Sequence, residues 1–210
     1  MLQRRPSGLK IEDAMTKGEQ TRRKIVAEAA PIFNQHGYEG SSLNLLMAAT
    51  GLKKGGIYRH FSSKEELAGE AFDYMWRETR RARLLDLDGN APGVEQLKQF
   101  IKSFLRGRLP FPGGCPILNT AIDSDDGNPM LRERVRKALR KWVARLESIV
   151  KTGRKRGDIR RGADPRTVAT LILASLEGAL MISRLEQSDD ALRRVQRHLN
   201  EYLDTQVAAR

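Results

Sequence analysis

The stretch from Ser41 to Phe61, SSLNLLMAATGLKKGGIYRHF, constrains this chain more than any other. Leu43, Leu46 and Met47 fall on one face of a short helix, and Gly51 follows as a residue able to take positive φ. Leu52 and Ile57 then close a small core on a second short helix. Apolar, glycine and apolar positions at these intervals are the spacing of a helix-turn-helix. A helical hairpin without a nucleic-acid role shares that spacing.

Helical periodicity extends in both directions from this motif. Ile25, Ala29, Ile32 and Phe33 fall at i, i+4, i+7 and i+8, which predicts a helix from about Gln20 closed by Gly37. Pro31 lies inside it, and the lost backbone bond predicts a kink near Ala27 to Pro31. Beyond Phe61, Ser62 with Glu65 and Ser63 with Glu66 stand at capping-box spacing before Leu67, Ala71, Tyr74 and Met75, a helix reaching about Leu85. A loop over Asp86 to Gly93 precedes a helix from Val94 to Gly107, and a Pro/Gly-rich turn over Leu109 to Gly114 precedes another from Pro116 to Ser124.

Asn128-Pro129 and Asp164-Pro165 each pair an N-cap side chain with a proline suited to the first helical position. The first opens a stripe of Leu131, Val135, Ala138, Trp142, Leu146 and Ile149 that ends at Gly153, before a basic loop from Arg154 to Arg161. The second opens residues 165 to 186, apolar on most sides, and a last helix carries Leu192, Val195, Leu199 and Tyr202 on one seam. With no alternating run, the fold class is all-α. A helix apolar around most of its girth needs cover on several sides, so a homodimer through the last two helices is expected.

At 210 residues the chain accommodates a flexible arm (1–17), a small head (18–66) and a larger body (67–210). No apolar run approaches the roughly 20 residues that cross a membrane, and no secretory leader is evident, so a cytoplasmic protein with no membrane partner is expected. One cysteine excludes an internal disulfide. The net charge of +12 points to a polyanion, nucleic acid before membrane. Residues 1–61 hold ten Lys/Arg against five Asp/Glu and the remainder 28 against 21, so charge alone does not locate a binding face.

The segments TRRKIVAEAA, FNQHGYEGSS, TGLKKGGIYRHF and SSKEEL occur in the order and spacing of a tetracycline-repressor (TetR) type DNA-binding head, and the chain resembles that family over roughly residues 20–68. GGCPILNTAIDSDDGNP and the long amphipathic helix after it look like one of the family's ligand-binding bodies. The resemblance implies a ligand-responsive transcriptional regulator, by the family's usual mode a repressor. It would bind a near-palindromic double-stranded operator as a dimer and be released by a small-molecule effector. It also implies that the helix Lys54 to His60 enters the major groove, that Thr21 and Arg22 reach the DNA backbone, and that Lys54, Tyr58 and His60 contact it. For Tyr58, packing within the head is the other reading.

Residue chemistry agrees with this placement. Ser41 or Ser42 can cap the first motif helix and offer a hydroxyl to phosphate, and Lys64 stands at the start of the next helix, where free N–H groups also favour an anion. Gly55 and Gly56 occupy positions that usually point side chains at bases, and they let the backbone approach closely. Arg59 and Lys53 remain as candidates for base edges or phosphate. The chain departs from the family's pattern at Leu45, Met47 and Lys53, and Met47 puts the helix crossing angle in question.

Other chemistry is sparse. Asp123, Asp125 and Asp126 before Gly127 do not match a calcium loop, since counting back places Ile122 first. His36, His60 and His198 lack partners at ligand spacing, so no metal and no cofactor are expected, and no catalytic signature points to an enzyme. Cys115 reads as a small buried hydrophobe in preference to a redox sensor. For the effector, the body offers Phe104, Cys115, Leu118, Asn119, Trp142, Glu177 and Met181 as apolar walls with a few polar groups, each also compatible with core or interface. Two further classes fit the sequence: a basic helical protein coating nucleic acid without sequence choice, and a small-molecule binding protein or enzyme with a vestigial head.

Overall fold

A computed structural model describes residues 15–84, 88–106, 109 and 111–209. The arm that carries Arg4, Arg5 and Lys10 lies outside the described residues. Among those described the chain is all-α: α1 Lys17–Gly40, α2 Leu43–Thr50, α3 Lys54–Tyr58, α4 Lys64–Leu84, α5 Gly93–Arg106, α6 Pro116–Ser124, α7 Pro129–Arg156, α8 Pro165–Leu185 and α9 Asp190–Tyr202. A π-turn over Leu203–Val207 and a single bridge between Ile159 and Ala208 close the C-terminus onto the end of α7.

Side-chain caps start most of these helices. Thr16 accepts from the Glu19 N–H while Glu19 reaches back to the Thr16 backbone, so α1 begins three residues before Gln20. That pair stands at the same spacing as Ser63 and Glu66 of α4, and the sequence signal was there to be read. Asn128 and Asp164 cap α7 and α8 through their side chains, each with its proline in the first turn, as their dipeptides predict.

Two expectations need correction. Helical dihedrals continue through Pro31, and α1 breaks instead at Gly37 (φ 70°, ψ 177°). Only glycine takes that conformation cheaply, and the Tyr38 N–H released by the break donates to Asp123 of α6 at 2.7 Å. Further on, α7 passes Gly153, which is buried against Ile159, and ends at Arg156 with Gly157 in the left-handed region. The first three residues of the expected basic loop are therefore helical.

Two hydrophobic cores result, and α4 serves both. Leu67, Ala68, Ala71 and Met75 join Ile25, Ala29, Phe33, Leu46, Ile57 and Phe61 in the head, which also takes Phe111 and Leu131 from the body. Phe72 and Trp76 enter the body core, built on Leu97, Phe100, Ile101, Trp142, Leu146, Ile172 and Leu176. The periodicity of α4 is thus continuous, but its first turns belong to one core and the opposite face of its middle to another.

At 21 residues and a mean hydropathy of 1.6, α8 has the length and composition of a membrane span, although no apolar run had suggested one. Val168, Ile172, Leu173 and Leu176 bury one side of it in the body core. Leu171, Met181, Ile182 and Leu185 stand exposed along the other.

Candidate nucleic-acid interface and effector site

The helix-turn-helix is assembled from α2 and α3. Ser42 caps α2, accepting from the Leu45 N–H at 3.3 Å, which leaves its own hydroxyl proton free for an acceptor. Ser41 is buried and donates to the Gly37 carbonyl at 2.5 Å, so of the two serines only Ser42 presents its hydroxyl at the surface. Gly51 takes the left-handed conformation expected of the turn (φ 67°, ψ 11°). Met47 is half-buried against the head core, with Leu46 fully buried beside it.

Helix α3 is two residues shorter than expected. It ends at Tyr58, and Arg59 and His60 follow in a turn held by Arg59 N–H to the Gly55 carbonyl and His60 N–H to the Ile57 carbonyl. Ile57 anchors it in the core, while Lys53, Lys54, Gly55 and Arg59 are exposed and Gly56, Tyr58 and His60 are half-buried. Lys53 caps the helix with no side-chain hydrogen bond. A Cβ at Gly55 would meet nothing within 4 Å, whereas one at Gly56 would touch Leu52. The protein's own packing therefore gives no reason for glycine at 55.

Flanking residues divide into those presented and those engaged. Lys64, the first residue of α4, rests its ammonium 4.5 Å over the Tyr38 ring, half-exposed beside the capped helix start. Thr21 returns its hydroxyl to the Lys17 carbonyl at 2.9 Å. Arg22 is not a free phosphate ligand as the resemblance implied. It donates to Glu66 at 2.5 Å and to Glu70 at 3.2 Å, and its guanidinium covers the Phe61 ring at 4.2 Å. It is a pin joining α1, α4 and the end of the motif. Glu66 also accepts from the Ser62 N–H and hydroxyl, and these bonds with Arg22 hold its carboxyl down at about 2.

The head is hydrogen-bonded to the body through α6. Asn34 of α1 donates to the carbonyls of Pro112 and Gly114, and Asn119 of α6 donates to Asn34 and to the Gly113 carbonyl at 2.7 Å. Asn119 is therefore committed to this junction and does not join the other residues expected at an effector site. Asp123, which the sequence reading set aside with the rejected calcium loop, completes the junction through Tyr38. Nothing in the local pattern marks Asn34 or Asp123, because the two segments are 85 residues apart.

Of the remaining effector candidates the structure brings four together. Phe104, Cys115, Trp142 and Glu177 are in the body core, with Phe104 and Trp142 stacked at 5.9 Å and Leu118 half-buried at the margin. Met181 lies outside on the exposed face of α8. Burial pushes the Cys115 thiol well up, so it stays protonated, which argues against a thiolate sensor. Two α4 residues complete the cluster and were missed: Thr79 and Arg83, both buried, one helical turn apart. Arg83 sits amid the run of charged residues that ends α4, and sequence alone gives no reason to single it out.

Comparison with known proteins matches both halves of the chain. The family model described as bacterial regulatory proteins, tetR family, covers residues 25–71, and that of the tetracyclin repressor-like C-terminal domain covers residues 93–199. The crystal structure of a TetR transcriptional regulator from Chloroflexus aurantiacus J-10-FL is 46% identical with a TM-score of 0.89, over 93% of this chain and 100% of that one. A TetR-family regulator from Cytophaga hutchinsonii is 32% identical with a TM-score of 0.86, over 93% of this chain and 98% of that one. The HTH-type transcriptional repressor DhaR of Mycobacterium sp. strain GP1 is 26% identical over 173 residues, 81% of this chain and 86% of its own length.

Proposed function

The chain belongs to the TetR family and is a DNA-binding transcriptional regulator, and from that premise we propose that it is a dimeric repressor released from a near-palindromic operator by a small molecule. The observation that carries the reading is the presentation of Lys53, Lys54, Gly55 and Arg59 on an α3 whose other face is locked by Ile57. Lys54, Ser42 and Lys64 contact phosphates on either side of the groove, and Arg59 and Lys53 reach base edges. Gly55 brings the helix backbone close to the DNA, which supplies the reason for glycine that internal packing lacks. Thr21, Tyr58 and His60 border this surface and support it.

Dimerisation uses α8 and α9. The exposed Leu171, Met181, Ile182 and Leu185 form one long apolar face on α8, which a second copy would cover. Heads in successive major grooves then require half-sites about 34–36 Å apart, and a change in their separation releases DNA. The α6 junction with α1 gives the body a direct hold on the head. Repression is the role named for the DhaR relative, and such a regulator meets its operator in the cytoplasm.

Titration at fixed salt tests the reading. A palindrome from the protein's own promoter region should bind at least roughly 10³-fold more tightly than random duplex. Equal affinities would leave only a basic protein that coats nucleic acid.

A further inference from the structure

Among the described residues of α4 and the body, several buried polar side-chain atoms have no hydrogen-bond partner, and some of them lie around Arg83. Its guanidinium lies 4.3 Å over the Phe104 ring, one Nη donates to the Ser103 carbonyl, and the buried Nε has no partner. One turn earlier on α4, the buried Thr79 hydroxyl is also unpartnered. Near Arg83, and beside the Cys115 thiol, lies Glu177 of α8, whose two carboxylate oxygens are buried and have no hydrogen-bond partner beyond the approach of that weak S–H donor. Trp142, stacked on Phe104, adds an indole N–H in the same condition. Buried polar groups left this way destabilise the free protein, more so when charged. Their gathering on three helices is the condition of a site that a ligand completes.

The chemistry of the unpartnered atoms selects the ligand. Arg83 Nε donates only, and Thr79 can donate alongside it, so one end of the ligand is an oxygen acceptor, best an anion. Glu177 accepts, so elsewhere the ligand carries a donor. Arg83 already occupies the Phe104 face that a ligand cation would use, and a second cation beside it would be repelled. Aromatic side chains adjoin these groups, with Phe104 under Arg83, Trp142 stacked on Phe104 and Trp76 edge-on to Trp142 at 5.2 Å.

We infer that Thr79, Arg83, Phe104, Trp142 and Glu177 form a subsite for a small aromatic carboxylate bearing a ring hydroxyl. The carboxylate takes Arg83 and Thr79, the hydroxyl donates to Glu177, and the ring lies against the aromatic side chains. The inference rests on the reading that the body receives an effector. Burial works in the same direction, raising the Glu177 carboxyl and depressing Arg83, so each charge lacks in the free protein what the ligand supplies. Arg83 and Cys115 are the titratable groups that face Glu177, and Cys115 stays a neutral thiol.

Calorimetric titration of the full chain with benzoate, its three monohydroxy isomers and benzyltrimethylammonium tests this. At least one hydroxybenzoate should bind about tenfold more tightly than benzoate, and the ammonium should not bind. Arg83→Met should weaken every carboxylate by at least about tenfold, and Glu177→Leu should abolish the preference for the hydroxyl while benzoate still binds. Retained operator affinity and a cooperative unfolding midpoint no lower than that of the unaltered protein show that the variants fold, and the selectivity of the unaltered protein needs no variant. The inference is overturned if none of the carboxylates binds, if the ammonium binds more tightly than they do, or if Arg83→Met leaves their affinity unchanged. Operator titration of the same preparation separates the two readings. Operator binding without carboxylate binding overturns the subsite alone, whereas carboxylate binding without operator selectivity overturns the regulator and leaves the subsite.

Discussion

Arg22 in the head and Arg83 in the body lie over phenylalanine rings at nearly the same height, 4.2 Å over Phe61 and 4.3 Å over Phe104. Around Arg22 the carboxylates close in: Glu66 and Glu70 bond it directly, and Ser62 bonds Glu66 in turn. Around Arg83, which is more deeply buried, Glu177 adds its charge without a hydrogen bond to the guanidinium, and only the weak Cys115 thiol stands beside its carboxylate. Apart from Glu28, the unpartnered buried side-chain atoms among the described residues belong to α4 beyond Met75 and to the body helices. The head has its polar bonds made before it meets DNA, as a rigid reader needs. The body keeps polar groups open in its core, where a ligand gains the most from supplying partners.

The comparison breaks most visibly if the body's open groups are replaced. Arg83→Met combined with Glu177→Leu should leave the protein as stable as before or up to about 4 kcal/mol more stable, because unpaired charges give way to apolar packing. Chemical denaturation with the unfolding midpoint as readout checks it, and a loss of stability would mean that these groups already hold the core together. A smaller effect is expected at Gly55. Gly55→Ala should stabilise the head by up to about 1 kcal/mol, since the added methyl meets nothing, yet weaken operator binding. Unchanged affinity would remove the close approach of α3 from the proposal.

The smallest effect is in acid, and its sign differs between the regions. Glu66 is depressed in the folded head, so its contribution is present above the unfolded value of 4.5 and is lost as pH falls toward about 2. Glu177 is raised in the folded body, so its contribution is fully present below 4.5 and is lost as pH rises through its folded value. Hydrogen exchange followed separately in α1 and α8 should show protection falling in α1 on acidification from pH 4.5, and rising in α8 as pH is brought down to 4.5. Parallel trends would show that the two carboxyl environments are not opposed.

Much of the molecule was legible because its signals are local. Asn128-Pro129 and Asp164-Pro165 fixed two helix starts to the residue, and Gly51 took the left-handed turn its neighbours required. Periodicity placed Ile57 and Leu46 in the head core and Trp142 and Leu146 in the body core, since a helix's apolar stripe is set by residues three and four apart. The Thr16–Glu19 cap was equally local and was passed over.

What sequence by itself determined, then, is the run of helices and the exposed basic start of α3, both consequences of contacts within a few residues. Tertiary structure alone decided which polar side chains are free. It took Arg22, Ser41 and Asn119 out of the candidate surfaces by giving them partners. It also made Arg83 conspicuous by burying it without enough of them. A side chain's local pattern reports its helix face, but whether a partner meets it there depends on residues tens of positions away, and for the body core on what the cell supplies.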